Sequence, residues 1–112
     1  MIYLRSYRVR QTAENQFIIS LPTYFTVNHG MKKGDNIHCY ITSKGELIFR
    51  PKLKEVAGRI HYKTYTLQFS GTRSFKATIP PPFRDENKLK DKQSLHCWMD
   101  SDEVMYKKKK GR

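Results

Sequence analysis

The chain has 112 residues, a length suited to one compact domain. Its 22 Lys and Arg against 10 Asp and Glu leave a formal net charge of +12, which repels itself and attracts polyanions, so nucleic acid leads the list of partners. Hydrophobic residues at 38% and aromatics at 12% exclude wholesale disorder, no run approaches the roughly 18 to 20 apolar residues of a spanning helix, and two cysteines are too few for a multi-bridge secreted scaffold.

At the start, MIYLRSYRVR places Arg5 where a signal peptide would continue its apolar run, so a cytoplasmic, reducing location is expected. Tyr7 and Val9 then alternate with Arg8 and Arg10, the period of a half-buried strand that turns both arginines to solvent. After the turn-like segment from Thr12 to Asn15, a second strand sets Phe17, Ile19 and Leu21 on one face and Ile18 on the other. Pro22 reads as the start of a short helix, where its missing N–H is harmless, and Gly30 suits the left-handed residue that closes it. A hairpin follows, with Ile37, Cys39 and Ile41 on one face, a turn near Lys44-Gly45, and a return strand through Leu47 to Phe49. Residues 53–64 read as a connector.

The same order then recurs. Pro80 lies 58 positions after Pro22, and the same gap-free shift carries Ile37-His38-Cys39-Tyr40 onto Leu95-His96-Cys97-Trp98. It also pairs Tyr7 with Tyr65, Phe17 with Phe75, Leu21 with Ile79, Phe25 with Phe83 and Leu47 with Met105. The chain therefore reads as repeat one, 7–52, and repeat two, 65–110, the latter with Lys76 on the face opposite Phe75, Ala77 and Ile79. Lys88 stands where repeat one has Gly30, so Asn87 or backbone strain has to close the second helix, which should be less regular. The second hairpin should turn near Asp102-Glu103 and return from Val104 to Tyr106.

Residues 17–52 resemble the AbrB, MazE and SpoVT group of swapped-hairpin transcription factors and antitoxins. Leu21-Pro22, Met31, Gly34-Asp35 and Arg50-Pro51 carry the resemblance by their spacing. In repeat two Ile79-Pro80 and Leu89 are kept, whereas Lys92-Gln93 replaces Gly-Asp and Lys108-Lys109 replaces Arg-Pro. The resemblance implies a mostly β fold with short helices, an AbrB-like swapped-hairpin β-barrel, formed here as a single-chain pseudo-dimer. Residues 1–112 would then be one intertwined domain whose two-fold relates residue i to i plus 58, with neither repeat folding alone.

The resemblance also implies a DNA-reading basic surface from the strands before the proline step and the helix after it. Transferred here it comprises Arg5, Arg8, Arg10, Arg73, Lys76 and Arg84, set against the simpler reading of a solvated basic edge. The family's arginine four residues before the proline is Ile18 in repeat one and Lys76 in repeat two, and its helix basic pair becomes Thr26-Val27 and Arg84-Asp85. Repeat one should thus have the damaged surface, and asymmetric or weakly specific binding is expected over a palindromic target. The basic run Lys107, Lys108, Lys109 and Lys110 is either an accessory phosphate-tracking arm or a solubilising terminus.

His38-Cys39 and His96-Cys97 suggest zinc, but neighbouring strand residues point to opposite faces, so no metal and no cofactor are expected and the cysteines read as core residues. No nucleophile motif, phosphate-cradling glycine loop or matched carboxylate pair points to an enzyme. The expected function is a double-stranded DNA-binding transcriptional regulator, cytoplasmic and nucleoid-associated. The alternatives are an architectural DNA-coating protein, an antitoxin-like interaction module, and RNA binding through Tyr40, Trp98 and Tyr106 if those rings are exposed. Self-association beyond the internal pair is left open.

Overall fold

The computed structural model describes residues 1–70 and 74–108. Six elements occur twice in the same order. In the first half these are β1 (Ile2–Arg8), β2 (Arg10–Ala13), β3 (Gln16–Ser20), α1 (Thr23–Asn28), β4 (Asn36–Thr42) and β5 (Glu46–Arg50). In the second half they are β6 (Arg59–Thr66), β7 (Gln68–Ser70), β8 (Ser74–Thr78), α2 (Pro81–Glu86), β9 (Ser94–Met99) and β10 (Val104–Lys108). The fold is mostly β with two short helices.

Two boundaries differ from those read in the sequence. Residues 59–64, assigned to the connector, belong to β6, and β1 starts at Ile2, before the expected start of repeat one. The cause is a bulge in each strand, at Leu4 where Tyr3 pairs with Trp98 and Arg5 with Cys97, and at Tyr62 where His61 pairs with Tyr40 and Lys63 with Cys39. An extra residue breaks the period of two, and with it the signal of a strand.

Both prolines stand just before their helices, in extended backbone, and their carbonyls accept the N–H groups of Thr26 and Arg84 at 3.1 Å. Gly30 closes α1 at φ +58°, with the Met31 N–H bonding back to the Thr26 carbonyl. Lys88 takes the same left-handed conformation at φ +50°, and Leu89 bonds back to Arg84 in the same way. The second helix is as long as the first, so the missing glycine is absorbed as strain at Lys88 and not as irregularity. Gly34 has its parallel too: Lys92 holds φ +68°, and Gln93 Oε1 accepts the Lys90 N–H as Asp35 Oδ2 accepts that of Lys32. Left-handed backbone at a non-glycine residue costs on the order of 1 to 3 kcal/mol.

The strands form a six-stranded sheet, β1-β9-β10-β5-β4-β6, and a four-stranded sheet, β2-β3-β8-β7. In both, strands of one half pair with strands of the other: β1 lies on β9, β6 on β4, β5 on β10 and β3 on β8. At the centre of the smaller sheet Ile19 pairs with Ala77, its own counterpart at the 58-residue shift. In the larger sheet the shift changes. Cys39 faces Phe49 whereas Cys97 faces Tyr106, so the second hairpin turn is one residue shorter and the last strands correspond at 57. Leu47 therefore corresponds to Val104, not to Met105 as the gap-free repeat implied, and both Leu47 and Val104 are fully buried.

The expected closed barrel is not found among the described residues: β1 and β6 edge one sheet, β2 and β7 the other. The chain leaves the ladder between sheets at Val9 and Leu67. The N–H of Val9 donates to the Gln93 carbonyl at 2.8 Å, and that of Leu67 to the Asp35 carbonyl at 2.8 Å. Between the sheets lies a core of Phe17, Ile19, Phe25, Phe83, Ile37, Phe49, Leu95 and their neighbours, with Cys39 and Cys97 both buried and free. Burial raises both thiols, Cys97 to about 12, so they pack as small hydrophobes. Buried Tyr106 ties the sheets together by donating its hydroxyl to the Ser20 carbonyl at 2.6 Å. No helix is long and apolar enough to cross a membrane among the described residues.

At one end of the larger sheet Arg50 and Arg59 both bond Glu103 Oε1, whose side chain is only 3% exposed. This clamp joins β5 and β6 to the turn before β10. Glu103→Ala leaves two guanidinium groups facing each other without their shared carboxylate, and should cost about 3 to 5 kcal/mol in urea unfolding. A loss within about 0.5 kcal/mol, as for a surface change, would contradict the clamp.

Candidate nucleic-acid interface

The step between sheets at Val9 places two arginines in different elements. Arg8 ends β1 and Arg10 begins β2, so they converge from two sheets where a single strand would have set them in a row. Arg10 pairs with Ile18, Ile18 with Thr78, and Ser20 with Lys76, which sets Arg10, Ile18, Ser20 and Lys76 on the outer face of the smaller sheet. The strained turn before β9 brings Lys92 alongside.

The result is a cleft of about 360 Å³ lined by Arg8, Val9, Arg10, Gln11, Ile18, Ser20, Lys76, Asp91 and Lys92. Four cations face one carboxylate, and Asp91 Oδ1 is already engaged by the Gln11 backbone N–H at 2.9 Å. None of the four cations makes an ion pair among the described residues. Lys76 Nζ donates to Ser20 Oγ at 2.6 Å, and its pKa is lowered by partial burial and then by the charge of Arg10. Ile18, at 4% exposure, forms an apolar floor beneath these charges.

The other expected site residues are spread elsewhere. Arg5 is exposed with its guanidinium 5.3 Å from the Tyr7 ring centre, outside the cleft, and Lys63 repeats this on Tyr65, also at 5.3 Å. Arg84 bonds the Asn15 carbonyl and donates to Asp85 Oδ1 at 2.9 Å, so it fastens α2 to the β2–β3 turn and is partly neutralised. Lys107 and Lys108 are residues of β10, and Lys108 Nζ donates to the Asn87 carbonyl at 2.7 Å. Arg73, Lys109 and Lys110 lie outside the described residues. In the sequence Lys92 carries no mark of this site beyond its departure from the Gly-Asp step.

The counterparts of Arg8, Arg10 and Lys92 across the repeat are Thr66, Gln68 and Gly34, so the charge is one-sided. The cleft draws Arg8 and Arg10 from repeat one and Lys76 and Lys92 from repeat two, with Ile18, the residue that marks repeat one as damaged, lying between them. Tyr40 and Tyr106 are buried at 1% and 0% exposure and cannot stack bases, while Trp98 is half-buried. His38 and His96 point to the outer face of the larger sheet, away from the inward cysteines. His38 Nδ1 bonds Thr64 Oγ1 at 2.8 Å, and burial, with His61 nearby, lowers its pKa.

No family model, curated protein or solved structure matches this chain.

The lowered pKa of Lys76 means that folding holds an ammonium at some cost. That cost is fully present at neutral pH, below the folded pKa, and disappears as pH rises from there past the ordinary value of 10.5. Lys76→Met should therefore keep or raise the melting temperature at neutral pH, and a lower melting temperature would make Lys76 a structural residue.

Proposed function

We propose that this protein binds double-stranded DNA and acts as a transcriptional regulator built as an AbrB-like swapped-hairpin pseudo-dimer, with the cleft of Arg8, Arg10, Lys76 and Lys92 as its phosphate-binding centre. The observation that carries the reading is the cleft itself, in which four cations, none of them in an ion pair among the described residues, converge from both sheets. Phosphates meet that arrangement with charge-assisted hydrogen bonds and release counterions.

The strain at Lys92 favours the same reading. A lysine occupies left-handed backbone at φ +68° where the other half has Gly34, and its side chain lines the cleft. Strain of this kind persists only where the surrounding structure holds the residue in place, as the Lys90–Gln93 turn does here. The crossing of β1 onto β9 and of β6 onto β4 supports the swapped arrangement, without a closed barrel.

The one-sided charge favours an asymmetric footprint. Phosphate contacts fix position and orientation but carry no sequence, so the base-reading part of the regulator has to come from Gln68, Thr78 and Ser20 on the same face. An architectural protein that coats DNA would use the cleft without those polar neighbours.

Anisotropy titrations of a labelled duplex across salt concentrations test the reading. Log affinity should fall with log salt at about 0.9 per phosphate contacted, and Arg8→Ala, Arg10→Ala and Lys92→Ala should each weaken binding and flatten that slope by roughly one contact. Arg84→Ala should change neither. A flat salt response, or Arg84→Ala costing as much as Arg10→Ala, would refute the assignment, and loss of all preference against random DNA would point to the architectural role.

A further inference from the structure

We propose that Tyr3, Trp98 and His96 form a stacking platform for the bases of an unpaired nucleic-acid strand whose backbone continues into the cation cleft; this rests on the phosphate reading of that cleft. Along β1 and β9, Tyr3 pairs with Trp98, Ser6 with His96 and Arg8 with Ser94. These residues therefore share the outer face of the larger sheet, and the row that begins with the aromatic rings ends at Arg8 in the cleft. The separation along the strand is roughly 15 Å. Lys107 pairs with His96 from the other side, so the platform has a cation at its flank as well as at its end.

The rings form a closed cluster. Tyr3 lies 5.4 Å from Trp98 and 5.4 Å from His96, and His96 lies 5.8 Å from Trp98, all edge-on rather than stacked. The Tyr3 hydroxyl bonds His96 Nδ1 at 3.0 Å and Ser6 Oγ at 3.3 Å, which holds the ring in place while 47% of the residue stays exposed. Rigid, accessible aromatic rings beside cations are what single-stranded nucleic acid uses, because every base has a π face and every linkage a charge.

The other half of the molecule provides an internal comparison. The counterparts of Tyr3, His96, Trp98 and Ser6 are His61, His38, Tyr40 and Thr64, and they cluster in the same way. There Tyr40 is 1% exposed and its hydroxyl accepts the Lys54 N–H from the segment after β5 at 2.8 Å. Tyr40 is thus covered by the chain itself, whereas its counterpart Trp98 is only half-buried, with Tyr3 exposed beside it and Lys107 at its flank.

Trp98 is the single tryptophan, so its fluorescence reports on the platform directly. The full chain is titrated with oligothymidylate, with oligouridylate and with a duplex of equal length, following tryptophan emission and the anisotropy of the labelled nucleic acid. The single strands should quench Trp98, and Tyr3→Ala should weaken them by roughly tenfold while leaving duplex affinity unchanged. Trp98→Phe, which keeps an aromatic face, should retain most single-strand affinity. Quenching by both single strands identifies base stacking as such, and quenching by oligouridylate alone identifies RNA. Unchanged emission at saturation, with Tyr3→Ala binding single strands as the wild type does, overturns the platform and leaves the duplex reading standing. Failure of every nucleic acid to bind removes both.

Discussion

Neither hairpin of the larger sheet has enough neighbours of its own. The β4–β5 hairpin takes β6 on one side and β10 on the other, and the β9–β10 hairpin takes β1 and β5, so every flanking strand is supplied by the opposite half. An isolated two-stranded hairpin is marginal in water, and an apolar face left uncovered opposes folding. Mutual completion is the constraint from which the core, the bends and the cleft follow. Each first strand pairs with the opposite half in the larger sheet and then bends into the smaller sheet beside a strand of its own half, and Val9 and Leu67 mark those bends with bonds to the opposite turn.

The same bend creates the chemistry. Had β1 run on without a break, Arg8 and Arg10 would lie on one solvent-facing row beside ordinary edge lysines. Because the chain turns at Val9, the two arginines come from different sheets, and the opposite half adds Lys76 and Lys92. Charges gathered in a cleft with an apolar floor attract a phosphate more strongly than the same charges spread over a surface, since the field is focused and less screened. The position of the site is therefore a consequence of the exchange between halves, and its one-sidedness is a consequence of what each half carries at equivalent positions.

Much of this architecture was legible in the residues. The shift of 58 between Pro22 and Pro80, the inward rows of Phe17-Ile19 and Ile37-Cys39, and the left-handed closure at Gly30 all rest on local patterns that survive folding. Three features were not legible, for separate reasons. Bulges at Leu4 and Tyr62 displaced the alternation and hid the outer strand segments. A turn shorter by one residue moved the last strand's register, which no gap-free comparison registers. Lys92 kept the geometry of Gly34 without glycine, so a backbone requirement remained where its sequence mark was gone, whereas the strain at Lys88 could be read from its match to Gly30. Of the expected site residues, Arg8, Arg10 and Lys76 converge, whereas Arg5 rests on Tyr7 and Arg84 is taken up by Asn15 and Asp85. Those differences depend on long-range contacts that periodicity does not encode.

The most direct measurement of mutual completion is reconstitution of the chain from its halves, divided in the segment between β5 and β6. Circular dichroism and sedimentation of each half alone, and of the equimolar mixture, follow whether strands form and in what assembly. The account predicts that neither half is folded as a monomer and that mixing restores the β signal in a one-to-one complex. Cooperative unfolding of either half as a monomer would contradict it, because that half would then close its core without the strands of the other.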